Sequence, residues 1–180
     1  MLARDGWAIA INYRSRKEAA YELANEIERR GGCAMPIPAD IAVDGDVRRM
    51  FDMTEERLGP ISGLVNNAGV VGERKRFADG DVSIMRDVIG VNVLGTMVCA
   101  HEAVKRMSKT GGGAGGVIVN ISSGLSKTGG ALAVNPVFRP DLPSRPSGGR
   151  VAYATSKGAI NALGIALAQE VARRAFASTR

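Results

Sequence analysis

The sequence predicts an α/β protein of the doubly wound kind, a mostly parallel sheet with helices on both faces. Three observations point there. Short apolar runs of strand length alternate with stripes of helical period from residue 7 to residue 173. Small or polar residues, "RSR", "ADI", "NNAG" and "SSG", stand at the strand ends, beyond which such sheets bind their ligands. The 180 residues, 45% hydrophobic and 23% charged, suit one ordinary core.

Each element has its own signal. "MLARDG" (1–6) reads as the last turn of a helix capped by Gly6, and "WAIAINY" (7–13) as the first strand. Between Arg16 and Arg30, Ala20, Leu23 and Ile27 recur at helical spacing, and Gly31 and Gly32 end the run. "AMPIPAD" (34–40) is a short strand whose prolines suit an edge. Val47, Phe51, Thr54 and Leu58 stripe a second helix, with Asp44 and Asp46 near its positive end. "ISGLVNN" (61–67) is a third strand. A long helix follows with Ile84, Val88, Val91, Gly95 and Val98 on one side. "GVIVNIS" (116–122) is the fourth strand. Residues 151–173 form a last helix with Ile160, Leu163, Leu167 and Val171 facing inward. Between them, 124–150 is rich in Gly, Pro and Ser and has no periodicity, as in a functional loop or a partly disordered one.

Composition excludes several classes. Cys33 and Cys99 stand far apart with no CxxC and no histidine spacing, so neither a disulfide framework nor a metal site is indicated and a reducing cytoplasm is expected. No run of about 18 apolar residues and no signal-peptide order occurs, so no membrane partner is expected. The net charge of +6 is spread among acids, with only small clusters such as "ERKR" (73–76). That distribution suits a solvated basic surface and a phosphate-bearing small molecule better than nucleic acid.

"GGGAGG" (111–116) satisfies GxGxxG, but it follows a helix and precedes a strand, the wrong context for holding a pyrophosphate, and reads as a flexible connecting turn. "NNAG" (66–69) closes a buried strand and is either a plain turn or one that lets backbone approach a ligand. Asn92 lies inside a helix, where asparagine competes for backbone hydrogen bonds; it is either solvated, associated with a kink, or functional. Ser123 follows a buried strand, but with His101 as the one histidine, inside a helix, and no GxSxG, a Ser-His-Asp centre is not indicated. Tyr153 and Lys157, four apart, share a helix face. Alone they are either an exposed turn or an acid–base pair, because an ammonium near a phenol favours phenolate and lowers its pKa from about 10.

Taken in order, "NNAG", Asn92 in "VNVLG", "VIVNISS" and "YATSKGAI" resemble the short-chain dehydrogenase/reductase family over residues 1–173. The resemblance implies a Rossmann-like subunit that moves hydride between a nicotinamide cofactor and a carbonyl or secondary alcohol. It implies Tyr153 as proton donor or acceptor, Lys157 on the nicotinamide ribose and on the tyrosine pKa, Ser123 orienting the substrate oxygen, and Asn92 holding a relay water. Asp40 and Ile41 would contact adenine, and Asn66, Ala68 and Gly69 would line the adenosine and nicotinamide side. At the end of the first strand an acid would favour NAD(H); Asn12, Tyr13, Arg14, Ser15 and Arg16 stand there instead. Arginine's permanently charged fork suits a 2'-phosphate, so NADP(H) is favoured and NAD(H) left open.

The resemblance has departures. The family's first strand and Gly-rich loop would precede "MLARDG", strands would follow residue 173, and Tyr153 stands 30 positions after Ser123 because of the 124–150 insertion. The expected fold is thus an incomplete doubly wound sheet lacking its first and C-terminal strands: one domain fragment, 1–180, with an inserted loop at 124–150 and an atypical tail at 174–180. The expected function is NADP(H)-dependent oxidoreduction by a homodimer or homotetramer joined through helices 81–108 and 151–173. The alternative is a truncated chain that keeps the outline of the fold without binding dinucleotide.

Back-translated and prefixed by one G, the tail "AFASTR" (175–180) permits GGC GTT CGC GTC AAC GCG, which encodes the family-like Gly-Val-Arg-Val-Asn-Ala. A frameshifted tail and an internal start codon are therefore expected. Genomic DNA should carry an in-frame stretch encoding "TGxxxGIG" upstream and resume family-like coding in the shifted frame downstream; absence of the upstream stretch overturns the internal start.

Overall fold

In a computed structural model, residues 1–129 and 150–177 are described. Expectations for 130–149 of the insertion and 178–180 of the tail lie outside the described residues. After a 3-10 turn, Leu2–Asp5, the order is β1 (Ala8–Tyr13), α1 (Lys17–Arg29), β2 (Cys33–Pro38), α2 (Asp44–Leu58), β3 (Gly63–Asn66), α3 (Val82–Ile89), a π-helical segment Gly90–Gly95, α4 (Thr96–Met107), β4 (Val117–Asn120), the single turn α5 (Leu125–Thr128) and α6 (Val151–Ala177). Gly6 caps the first turn in the left-handed region at φ 88°, as its place after "LARD" predicts.

Among the described residues the strands form two two-stranded sheets, β1–β2 and β3–β4. β1 and β2 are parallel, in register from Ala8 opposite Cys33 to Tyr13 opposite Pro38. In the second pair Val117 N–H donates to the Ser62 carbonyl and Ile121 N–H to that of Asn66, both at 3.0 Å; the constant offset makes this pair parallel too. Parallel strands separated by helices are the doubly wound arrangement in incomplete form, with no ladder joining β1 to β3 among the described residues. Coverage of both faces is not complete: Val65, Val117 and Val119 lie exposed because alternate residues of a strand point to opposite faces.

The chain groups into two compact units, one of Met1–Leu64 and Val98–Ile118, the other of Val65–Met97 and Val119–Arg180. In the first, α1 packs on β2 through Ala20 and Ala24. Leu23, expected inward, is 46% exposed, because the small i, i+4 alanines form the contact face and turn Leu23 to its flank. Val47, Met50 and Phe51 bury the inner face of α2. The "GGGAGG" segment is a closely packed turn: Gly112 and Gly115 have φ 89° and 92°, and a Cβ at Gly116 would stand 2.5 Å from Met107 Sδ and 2.7 Å from the Ser62 carbonyl. Glycine serves chain packing there.

Arg106 on α4 ties that helix to α2. It donates to Asp52 at 2.5 Å, to Glu55 at 2.9 Å and to Glu102 one turn earlier, and its guanidinium lies 5.2 Å from the Phe51 ring. The side chains of Arg106 and Glu102 are only 15% and 5% exposed. Burial pushes the Glu102 carboxyl up, but hydrogen bonding and charge from Arg106 outweigh it and hold the group below its ordinary 4.5.

In the second unit α6 continues past residue 173 to Ala177. Ile160 is buried, whereas Val171, expected inward, is 39% exposed. The expected long helix is interrupted by the π segment, which turns Asn92 inward. By length and composition, Val82–Met107 is apolar enough to cross a bilayer. Its polar residues are nonetheless bonded inside each unit, Asn92 to Val70 and Ser156 and Glu102 to Arg106, as in a core helix.

Replacing Arg106 by Met leaves three carboxylates without their shared cation and should cost about 3 kcal/mol in urea denaturation. The folded pKa of Glu102 is lowered, so its contribution is present above pH 4.5 and lost as pH falls through the folded value. Glu102→Gln should flatten that acid limb of the stability profile.

Candidate active site

The site grows from one amide. Asn92 is 1% exposed. Its Oδ1 accepts from Val70 N–H at 2.7 Å, and its Nδ2 donates to the Val70 carbonyl at 2.8 Å. A side-chain amide has one acceptor and one two-proton donor, so it pairs with a backbone residue as a neighbouring strand would. The remaining Nδ2 proton goes to Ser156 Oγ at 3.0 Å. Gly69 is small because a Cβ there would stand 3.1 Å from Asn92 Oδ1. Of the alternatives open for Asn92, burial removes the solvated one.

Tyr153 and Lys157 stand one turn apart on α6, with Lys157 Nζ 5.8 Å from the centre of the tyrosine ring. Lys157 is 5% exposed. Burial pushes its ammonium below the ordinary 10.5, and Nζ donates to the Ile121 carbonyl at 2.7 Å, just beyond β4. Ser122 Oγ donates to the Lys157 carbonyl at 3.1 Å, fastening the strand end to α6 again. Tyr153 is half-buried and lines a pocket of about 40 Å³ with apolar Val71, Ile84 and Val88 and charged Lys75 and Arg150. A phenol at a pocket wall beside a buried ammonium can exchange a proton with a polar group entering from solvent.

Ser123 is placed differently from the pair. Its Oγ accepts from Leu125 N–H at 3.3 Å and its carbonyl accepts from Ser126 Oγ at 2.6 Å, so it initiates α5. Among the described residues no hydrogen bond joins Ser123 to Tyr153 or Lys157. Asn66 is buried and its Nδ2 donates to Asn120 Oδ1 at 2.9 Å, bracing β3 against β4, while Ala68 and Gly69 are exposed.

The remaining predicted residues belong to the first unit. Asn12 Nδ2 donates to the carbonyls of Ala39 at 3.0 Å and Ile37 at 3.5 Å, linking β1 to the end of β2. Asp40 caps its own turn, accepting from Ala42 N–H at 3.0 Å, and Ile41 is buried. Ser15 is exposed. The Arg14 side chain is 57% exposed, and its guanidinium reaches Asp40 only at 3.7 Å. This leaves an open cation suited to phosphate, whereas the Asn12 amide and Ile41 are taken up by the fold. No group of three or more potential metal ligands occurs among the described residues.

Ser156, Ser122 and Asn120 were not singled out from the sequence. Serine and asparagine are common in loops and helices alike, and their partners lie 64, 35 and 54 residues away. The only signal was position, inside or beside motifs already chosen for other residues.

The family profile for short chain dehydrogenases matches residues 1–135. An uncharacterized oxidoreductase of Escherichia coli is 37% identical over 172 residues, covering 96% of this chain and 63% of its own. A 3-oxoacyl-[acyl-carrier-protein] reductase of Rattus norvegicus is 30% identical, covering 97% of this chain and 63% of its own. A short chain dehydrogenase of Burkholderia cenocepacia, solved in complex with NADP, superposes with a TM-score of 0.78 at 28% identity over 96% of this chain and 62% of its own. The chain therefore spans under two thirds of the length of these relatives.

Replacing Asn92 by Ala orphans both Val70 backbone groups. It should lower stability by about 2–3 kcal/mol in chemical denaturation.

Proposed function

The chain belongs to the short-chain dehydrogenase family of oxidoreductases, and from that membership we propose that it moves hydride between NADP(H) and a carbonyl or secondary alcohol. The observation that carries the reading is the buried Lys157 one turn from Tyr153, its Nζ 5.8 Å from the ring of a tyrosine that lines a pocket. NADP(H), when bound, supplies or receives the hydride.

Tyr153 gives its phenolic proton to the substrate oxygen during reduction and takes one back during oxidation. Lys157 favours the phenolate by its charge and, through its remaining donors, holds the nicotinamide ribose. Asn92 keeps Val70, and with it the loop after β3, in place, and holds a relay water. Ser123 turns its hydroxyl proton to the substrate oxygen. The exposed guanidinium of Arg14 takes the 2'-phosphate with Ser15, while Asn12, its amide spent on the Ala39 and Ile37 carbonyls, holds the end of β1 that presents them; Asp40 and Ile41 border adenine through their backbone, and Asn66, Ala68 and Gly69 line the adenosine and nicotinamide side. The NADP complex of the Burkholderia cenocepacia relative and the carbonyl chemistry named for the rat reductase support this choice. Exposed Leu94, Met97 and Ile165 support assembly of copies through the long helices.

A second reading has its own observation. With no ladder between β1 and β3 among the described residues, a chain keeping only the outline of the fold without holding dinucleotide is favoured by the sheet order. NADPH titration separates the two. On the first reading NADPH binds and supports turnover, and Tyr153→Phe lowers kcat by about 10²–10⁴ with NADPH affinity unchanged. Arg14→Ala should weaken NADPH about tenfold and leave NADH unaffected. Absence of any NADPH binding establishes the second reading.

A further inference from the structure

We infer that Ser156 is a positioning residue for Tyr153, setting the direction of the phenol through the hydrogen bonds it makes to Asn92 and to the Tyr153 carbonyl. The inference rests on the reading of Tyr153 as the proton-transfer group. Ser156 is fully buried. Its Oγ accepts from Asn92 Nδ2 at 3.0 Å and donates to the Tyr153 carbonyl, three residues back on α6, at 2.7 Å.

A serine inside a helix ordinarily faces water or bonds back to a carbonyl one turn earlier with its hydroxyl free to rotate. Here rotation is removed. The Asn92 amide occupies an acceptor side of Oγ, so the single hydroxyl proton is left for Tyr153 O. Asn92 is held in turn, since its other proton goes to the Val70 carbonyl and its oxygen takes Val70 N–H. A continuous line of bonds thus runs from the loop after β3 through Asn92 and Ser156 to the peptide that carries Tyr153. Rotating the first turn of α6 would orphan a buried donor at one of these joints, and such a group costs more than an ordinary hydrogen bond returns. Lys157 is anchored separately, by Nζ on Ile121 and its carbonyl on Ser122. Ser156 therefore governs where the phenol stands relative to an ammonium that is already fixed.

Ser156→Ala removes both bonds, and Ser156→Cys keeps the volume with a much weaker donor and acceptor. Ser156→Thr keeps the hydroxyl. Each is made in this 180-residue chain labelled with ¹³C-tyrosine, and the Tyr153 phenol is titrated by NMR, with Tyr13 and Tyr21 as internal controls. Lys157 on α6, Arg150 just before α6, and Glu73, Lys75, Arg76 and Asp81 elsewhere in the pocket lining are unchanged in every variant.

In the Ala and Cys variants the Tyr153 titration should move to higher pH, at least about threefold in dissociation constant, while Thr follows the wild type. Turnover with NADPH should fall about tenfold in kcat with KM within about twofold, a pattern that overall loosening of the fold does not produce. If Ala does not fold, Cys carries the comparison. Coincident Tyr153 titrations in the wild type, Ala and Cys overturn the proposal, as does a Thr variant that shifts as Ala does. A wild-type chain without hydride transfer overturns the proposed function, and the Tyr153 titration still decides the role of Ser156.

Discussion

The second unit is organised around an amide that behaves as a piece of backbone. Asn92 pairs both polar groups of Val70 and still reaches Ser156, so three bonds of 2.7–3.0 Å converge on one fully enclosed side chain. Each intramolecular bond contributes only about 1 kcal/mol net, but leaving a buried donor or acceptor unpaired costs more. That asymmetry explains the surroundings. Gly69 has no Cβ because Oδ1 stands where one would press, and the π turn Gly90–Gly95 sets Asn92 inward.

The placement of Tyr153 and Lys157 depends on this clamp and on the end of β4. Lys157 is buried against the Ile121 carbonyl, and the main chain at Lys157 is held by Ser122, so two consecutive residues beyond the strand fasten one turn of α6. Burying an ammonium is unfavourable, and its lowered pKa registers the cost. Tyr153 keeps access to the pocket while its carbonyl is tied back through Ser156. The arrangement holds Lys157 by its ammonium and its carbonyl but Tyr153 through its carbonyl, and the Tyr153 side chain lines the pocket. The first unit solves a different problem in a comparable way: Arg106 binds carboxylates of α2 and α4 and so joins two helices through one polar group.

Much of the fold was legible in the sequence because its signals are local. Strand runs at Ala8–Tyr13 and Val117–Asn120, the stripe Val47 and Phe51, and the left-handed cap at Gly6 each follow from periodicity or from a glycine's freedom. The misplaced residues are those where periodicity leaves a choice of face. Leu23, expected inward, is exposed because Ala20 and Ala24 permit a closer approach, and Val171 lies in an exposed run, 168–171, of α6. In the candidate site, the motifs point to Tyr153, Lys157 and Asn92, whereas Ser156, inside "YATSKGAI" with the first two, has no distinguishing pattern because a serine in a helix is common.

By itself the sequence determined the alternation of strands and helices, the family, and the tyrosine and lysine on one helix face, because spacing along a chain decides what shares a turn or a strand end. Only the tertiary structure decided what Asn92 does, that Lys157 is buried on Ile121, that Ser123 starts a helical turn, and that Ser156 links the amide to Tyr153. The physical reason is distance along the chain. Asn92 meets Val70 across 22 residues and Ser156 across 64, and Lys157 meets Ile121 across 36. A buried polar group takes whichever partners the folded chain brings within hydrogen-bonding reach, and no local pattern encodes that choice.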